Sequence, residues 1–288
     1  MQIFFRSCKS YGKGGIFMAI RTDLALEAKQ LWEQSAARTT KLQGVRARTL
    51  QVGECELTQV DILDERGQQA LGKPIGRYTT LELPRSRCIR ASAEALAGEV
   101  RHMAGENGCV LVVGLGNAAV TPDVLGPLTV RRLFLTRHLR EHLPEQFGAF
   151  RPVCAVCPGV LATTGIESAE LVRGAIAHVK PSCVIVIDAL ATGSMERLCR
   201  TVQLTDTGIV PGSGVGNRRS GFSRQTLGVP VLALGAATVT DASTQSIVTP
   251  RDIDEQVRYL AAVLAGAVNL ALHPELSYDE LMQFIPNC

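Results

Sequence analysis

Short apolar runs, broken by turns and by stretches of helical spacing, organise most of the chain. Leu24-Ala-Leu-Glu-Ala-Lys-Gln-Leu-Trp32 spaces its apolar positions as a helix does, with Asp23 placed to cap it. Residues 40 to 83 read as β-rich: 45 to 60 alternates loosely, and Gly76-Arg-Tyr-Thr-Thr-Leu-Glu-Leu83 alternates more regularly before Pro84 closes it. Helical spacing returns over residues 92 to 103. From Cys109 the rhythm becomes strand, loop, helix. A strand at 109–113 is followed by a helix opened by Pro127 and ended before Pro144, then strand 152–156, helix 167–179 and strand 183–187. Strands near 201–205 and 230–234 and a last helix at 252–272 complete it. This order predicts an α/β fold: a mainly parallel or mixed sheet with helices on both faces, plus a β-rich N-terminal insertion.

Open sheets of this kind bind ligands outside the carboxyl ends of their strands. Two apolar runs meet that edge with an acid. Cys109-Val-Leu-Val-Val113 passes through a glycine turn to Asp123, and Cys183-Val-Ile-Val-Ile187 ends on Asp188. Two carboxyls held close cannot both ionise cheaply, so one keeps a proton and serves as acid while the other polarises water. A single acid after a strand more often caps a helix or bonds loop amides, which is the competing reading of each residue.

Asp206-Thr-Gly-Ile-Val-Pro-Gly-Ser-Gly-Val-Gly-Asn-Arg218 is dense in glycine, and amides around Gly212, Gly214 and Gly216 could form an oxyanion site or merely a long connection. Gly114-Leu-Gly-Asn-Ala-Ala119 follows a strand as a dinucleotide turn would, but no acid follows at ribose distance and Pro122 and Pro127 interrupt the helix. A non-enzymatic phosphate or nucleotide binder is the reading this motif leaves open.

Composition narrows the picture. The 288 residues are 46% hydrophobic without a compositional break, so residues 24 to 288 are expected as one domain behind an N-terminal extension, 1 to 23. A formal charge of +3 with scattered basic residues gives no nucleic-acid signature. The apolar stretch 259–272 is too short and alanine-rich for a bilayer span and reads as a buried helix. Nine cysteines, several inside apolar runs, suit reduced thiols, and the lone Cys154-Ala-Val-Cys157 lacks a second pair at zinc spacing. The histidines (His102, His138, His142, His178, His273) read as solvated, with no HExxH pattern. Residues 1 to 17 lack a signal-peptide core, and Met18 directly precedes the first organised stretch, an alternative start.

A series of blocks matches a known family in order from Ile20 to Asp241. They are Ile20-Arg-Thr-Asp-Leu-Ala-Leu-Glu27, Gly76-Arg-Tyr-Thr-Thr-Leu-Glu82, Val113-Gly-Leu-Gly-Asn117, Val120-Thr-Pro-Asp-Val-Leu-Gly-Pro127, Thr136-Arg-His138, Pro158-Gly-Val160, Thr164-Gly-Ile-Glu167, Val186-Ile-Asp-Ala-Leu190, Asp206-Thr-Gly-Ile209 and Pro211-Gly-Ser-Gly-Val-Gly-Asn217. They closely resemble the germination protease of spore-forming bacteria. The resemblance implies an endopeptidase made as a zymogen in the developing spore, a homotetramer in the forespore or spore-core cytoplasm, which degrades small acid-soluble spore proteins. It also implies kinship with hydrogenase-maturation peptidases, Asp123 and Asp188 as the catalytic pair, and Asp241 as a further active-site acid. No cofactor is expected; a divalent metal on the same two aspartates is the rival mechanism. Family substrates are cut after an acid within a motif that Thr22-Asp23-Leu24-Ala-Leu-Glu27 resembles, so self-cleavage between Asp23 and Leu24 is expected. Mild acidification is the expected trigger, because a coupled carboxyl pair responds to pH. Thr192-Gly193 and Val210 depart from the family pattern.

Overall fold

The computed structural model describes residues 22–35, 42–212, 220–242 and 246–285. Nine strands form one mixed sheet: β1 (Val45–Val52), β2 (Cys55–Ile62), β3 (Gly76–Glu82), β4 (Val110–Gly114), β5 (Val153–Val156), β6 (Cys183–Thr192), β7 (Thr201–Thr205), β8 (Val231–Ala242) and β9 (Ser246–Val248). The order is β1-β2-β3-β7-β8-β6-β4-β5, with β9 paired to β8. Strands β8, β6, β4 and β5 run parallel, whereas β1, β2, β3, β7 and β8 pair antiparallel in turn. The β-rich N-terminal segment is therefore continuous with the main sheet, because β3 pairs with β7.

Eleven helices lie among the described residues: α1 (Ala25–Ser35), α2 (Glu65–Leu71), α3 (Ile89–Ala104), α4 (Leu125–Val130), α5 (Arg137–His142), α6 (Pro144–Phe147), α7 (Leu161–Thr164), α8 (Ser168–Val179), α9 (Arg224–Leu227), α10 (Ile253–Leu272) and α11 (Tyr278–Phe284). Alternation along each strand sends Ile185, Ile187, Leu232 and Leu234 into a core with α3 and α10. Val184, Val186 and Val231 face the other way, with Ala169 and Val172 of α8 and Leu227 of α9. On that second face, Val60, Ile62 and Tyr78 of the antiparallel half meet Ala25 and Leu71, while Ala28 and Trp32 of α1 pack alongside. Between α1 and α2 on one side and α9 on the other lies a groove of 1710 Å³ floored by Leu190, Gln203, Thr205, Ala233 and Gly235.

Four expectations need correcting. The helix expected from Pro127 to before Pro144 is two short ones, α4 and α5, because 131–136 leaves helical geometry to fill the core. There Leu133 and Phe134 are buried, and Asn269 of α10 accepts from the Phe134 N–H and donates to the Arg132 carbonyl, each at 2.9 Å. Helix α2 falls in a stretch read as β-rich; Asp64 caps it, accepting from the Arg66 and Gly67 amides, and Gly72 ends it in the left-handed region. His273 is fully buried, not solvated. Its Nε2 lies 3.2 Å from the Phe134 carbonyl, its ring sits 5.0 Å from that of Phe134, and burial pushes its pKa down to about 4. Asp188 does not end its strand: β6 continues to Thr192 and β8 to Ala242.

The expected buried helix is α10, and no helix of the described residues is long and apolar enough to cross a membrane. The seven described cysteines are free, with Cys55, Cys183 and Cys199 buried.

Candidate active site

The acids sit where β4 stops and β6 does not. Gly114, the last residue of β4, pairs with Ile187, and the Leu115 amide still reaches the Ile187 carbonyl at 2.8 Å. The chain then turns away through Gly116 (φ +117°), whose missing Cβ leaves room for the Asp123 carbonyl. A short 3-10 turn, Thr121–Asp123, brings Asp123 back, with its carboxylate accepting the Asn117 N–H at 2.7 Å. Thr238 of β8 donates its hydroxyl to the Pro122 carbonyl at 2.9 Å and ties this turn to the sheet. Gly114 itself lets α4 approach, since a Cβ there would meet the Gly126 carbonyl at 2.6 Å. The Gly114-to-Ala119 pattern thus seats an acid, where a dinucleotide turn is the other reading of the sequence.

Asp188 is 5% exposed and lies on the same face of β6 as Leu190 and Thr192. Burial is the first cause of its pKa rising to about 8; the charge on Asp123 adds to it, as does Asp23, while the Ala189 N–H opposes. The two aspartates picked out by the strand pattern are thus electrostatic neighbours, with a proton held at Asp188 below mildly alkaline pH.

Past Ile187, β6 pairs with no strand on the β4 side among the described residues. In an extended strand residues 187, 189 and 191 present their peptide groups to the same edge. There the Asp23 amide donates to the Ala191 carbonyl at 2.9 Å, and the Ala191 amide donates to Asp23 Oδ2 at 2.9 Å. Leu24 and Ala25 follow with no exposure. The Asp23 carbonyl accepts from Lys73 Nζ at 3.0 Å and Gln203 Nε2 at 3.1 Å, and the Gln203 Oε1 accepts the Ala25 N–H at 2.8 Å. Lys73 also reaches the Thr22 carbonyl at 3.1 Å; burial lowers its pKa, against the pull of Asp23 and Glu27.

Glu27, only 4% exposed, occupies a pocket of its own. Thr192 Oγ1 donates to it at 2.5 Å, the Gly193 amide at 2.8 Å, and Arg197 lies 3.5 Å away. Thr192 and Gly193 are thus in direct contact with Glu27.

Of the other candidates, Gly212 stands at a turn, and Gly214 and Gly216 lie outside the described residues. Asp241 pairs in β8 with Ile247, and its side chain is outside the described residues. The Asp206-Thr-Gly triplet braces the turn that carries Lys73, since Asp206 accepts the Arg77 N–H at 2.8 Å and Thr207 donates to the Tyr78 hydroxyl at 3.2 Å. Lys73 and Gln203 are the residues here that the sequence pattern does not single out. In Thr201-Val-Gln-Leu-Thr205 polar and apolar residues alternate, so Gln203 falls at an ordinary polar position and nothing in the sequence marks it.

The germination protease family model matches residues 25–247. The chain belongs to the germination protease family. Germination proteases similar to it include that of Caldanaerobacter subterraneus subsp. tengcongensis, 40% identical over 94% of this chain and 99% of the relative, and that of Clostridium tetani, 33% identical over 93% and 100%. That of Bacillus cytotoxicus is 44% identical over 78% of this chain and 64% of its own. Among solved structures, the [NiFe] hydrogenase maturation protease HycI from Thermococcus kodakarensis matches 59% of this chain and 98% of its own at 19% identity, with a TM-score of 0.37. As a member of this family the chain is an endopeptidase, a hydrolase of peptide bonds.

Proposed function

We propose that this germination protease is a self-processing zymogen in which Asp123 and Asp188 hydrolyse the Asp23–Leu24 bond. One observation carries the reading: the residue before that bond extends the edge of β6 three residues past Asp188, with the following residues buried as a bound substrate's would be. Ionised Asp123 takes a proton from water as its oxygen adds to the Asp23 carbonyl carbon. Collapse of the tetrahedral adduct breaks the C–N bond, and the Leu24 nitrogen takes the proton held by Asp188. The pair titrates as a unit, so its pH profile belongs to both residues.

The same groove then accepts other chains cut after an acidic residue, and we propose that these are small acid-soluble spore proteins, degraded in the spore core during germination by a homotetramer. The Glu27 pocket supports this reading, because it selects a carboxylate four residues beyond the cut. In the rival reading, a divalent cation would be held by the same two residues, Asp123 and Asp188.

Intact-mass analysis of the purified chain at mildly acid pH tests the reading. Loss of the segment ending at Asp23, with Asp123→Asn and Asp188→Asn chains left whole, is the expected result. Equal trimming of all three would remove the aspartate pair from the reaction.

A further inference from the structure

The two donors on the Asp23 carbonyl come from elements remote from both acids. Gln203 of β7 pairs with Gly235 of β8, and Gly235 pairs with Asp188 of β6. Residues in register share a face, so Gln203 and Asp188 stand on the groove side of one row, about 10 Å apart at two strand spacings. The residue between them is a glycine. A Cβ there would come within 2.6 Å of the Asp188 carbonyl and 2.7 Å of the Leu190 side chain. The row thus has raised ends and a low middle. The carbonyl reached by Gln203 belongs to the bond whose flanking residue is tied to Ala191, beyond Asp188.

From this geometry, and resting on the proposed cleavage after Asp23, we infer that Gln203 and Lys73 form the oxyanion site of the protease. Their nitrogens lie 3.1 and 3.0 Å from the carbonyl oxygen, within the distance such donors require. As water adds, the carbonyl π pair moves onto that oxygen. A neutral amide and an ammonium already aimed at it bind the developing charge more strongly than the ground-state carbonyl. The orientation of Gln203 is fixed by its second bond: Oε1 holds the Ala25 N–H, which leaves Nε2 to face the carbonyl. Lys73 is fixed by the Thr22 carbonyl and by the braced turn behind it. The charge needed at the transition state thus comes from the antiparallel half of the sheet, and the proton transfers come from the parallel half.

The test separates stabilisation of the adduct from docking of the segment. Gln203→Glu keeps an acceptor for the Ala25 N–H and loses the donor; Lys73→Met removes the other donor without adding charge. Each full-length variant is followed by intact mass at mildly acid pH, and amide hydrogen exchange over residues 22–27 reports docking. Processing slowed about 100- to 1000-fold, with amide protection in that segment unchanged, is the expected result. Rates within about threefold of the parent would overturn the proposal, as would a rate loss that tracks lost protection, which would make both residues docking groups only. Asp123→Asn and Asp188→Asn run alongside: if they process normally while the donor variants fail, the aspartate mechanism falls and the oxyanion site stands. A parent chain that never cuts after Asp23 overturns both.

Discussion

The two halves of the sheet handle the same peptide differently. The parallel half, β8-β6-β4-β5, is buried on both faces and meets the peptide at a carboxyl edge, where burial and proximity of two acids keep a proton on Asp188. The antiparallel half supplies neutral and cationic donors, Gln203 from within a strand and Lys73 from the turn between α2 and β3. A parallel strand end is suited to concentrating carboxylates because its loops all leave on one side. An antiparallel ladder brings a residue from a neighbouring strand into register across a glycine, which is suited to presenting a donor at a set height. Proton transfer and stabilisation of the oxyanion are thus proposed for separately built parts that share one row of residues, while β6 grips the peptide through Ala191 and Thr192.

The sharpest way to break this division is to remove an acid. Asp188→Asn or Asp123→Asn should slow self-processing at least about 1000-fold while leaving the segment docked, as read by mass analysis and amide exchange. Gly116→Ala keeps every functional side chain but forces the Asp123 turn outward. A misplacement of about 1 Å predicts roughly 100-fold slower cleavage with unchanged protection over residues 22–27. On the gripping side, Glu27→Gln keeps the shape in the Thr192–Gly193 pocket and loses the charge facing Arg197. Processing should fall about tenfold, accompanied by reduced protection over residues 22–27. Unchanged protection in the first of these two variants and reduced protection in the second is what separating catalysis from grip requires; like effects would dissolve it.

The smallest expected effect concerns stability. The Asp188 pKa is raised in the folded chain to about 8 from an ordinary value of 3.8, so the native state binds a proton that the unfolded chain releases. Its contribution is fully favourable below pH 3.8 and is lost as pH rises through about 8. Asp188→Asn should therefore raise Tm at about pH 8, by roughly 2–4 °C for each kcal/mol of that lost contribution, and change it little near pH 4, measured by thermal unfolding across that range. His273 works in the other direction: its folded pKa of about 4 lies below the ordinary 6.5, so its contribution is present above 6.5 and is lost as pH falls towards 4. Mildly acid processing experiments belong between these limits.

Part of this site is legible in the sequence because Asp123 and Asp188 follow apolar runs that read as strands, although a single acid there more often caps a helix or bonds loop amides. The Asp23–Leu24 bond is picked out by the family resemblance and not by any such contrast. Gln203 and Lys73 do not stand out, since a lone glutamine in a strand and a lysine in a turn look alike whether they serve structure or chemistry; only the register through Gly235 distinguishes the first, and only its contact with the Asp23 carbonyl the second. His273 reads as solvated because its partner, the Phe134 carbonyl, comes from 139 residues earlier in the chain. The expected long helix after Pro127 fails for a related reason: local spacing favours it, and Asn269 claims that backbone from a distant helix.

The complete burial of Leu24 has a consequence for the moment after hydrolysis. The cut would turn an amide nitrogen into an amine that prefers to carry charge, at a position shielded from water. Retaining an ion there costs several kcal/mol, against roughly 2–3 kcal/mol held by the leucine side chain. On the proposed cleavage, a charged amine at Leu24 would gain water by moving outward, and drawing the first turn of α1 from the groove would clear the space a second polypeptide needs. The cut that severs the plug would then also help to expel it.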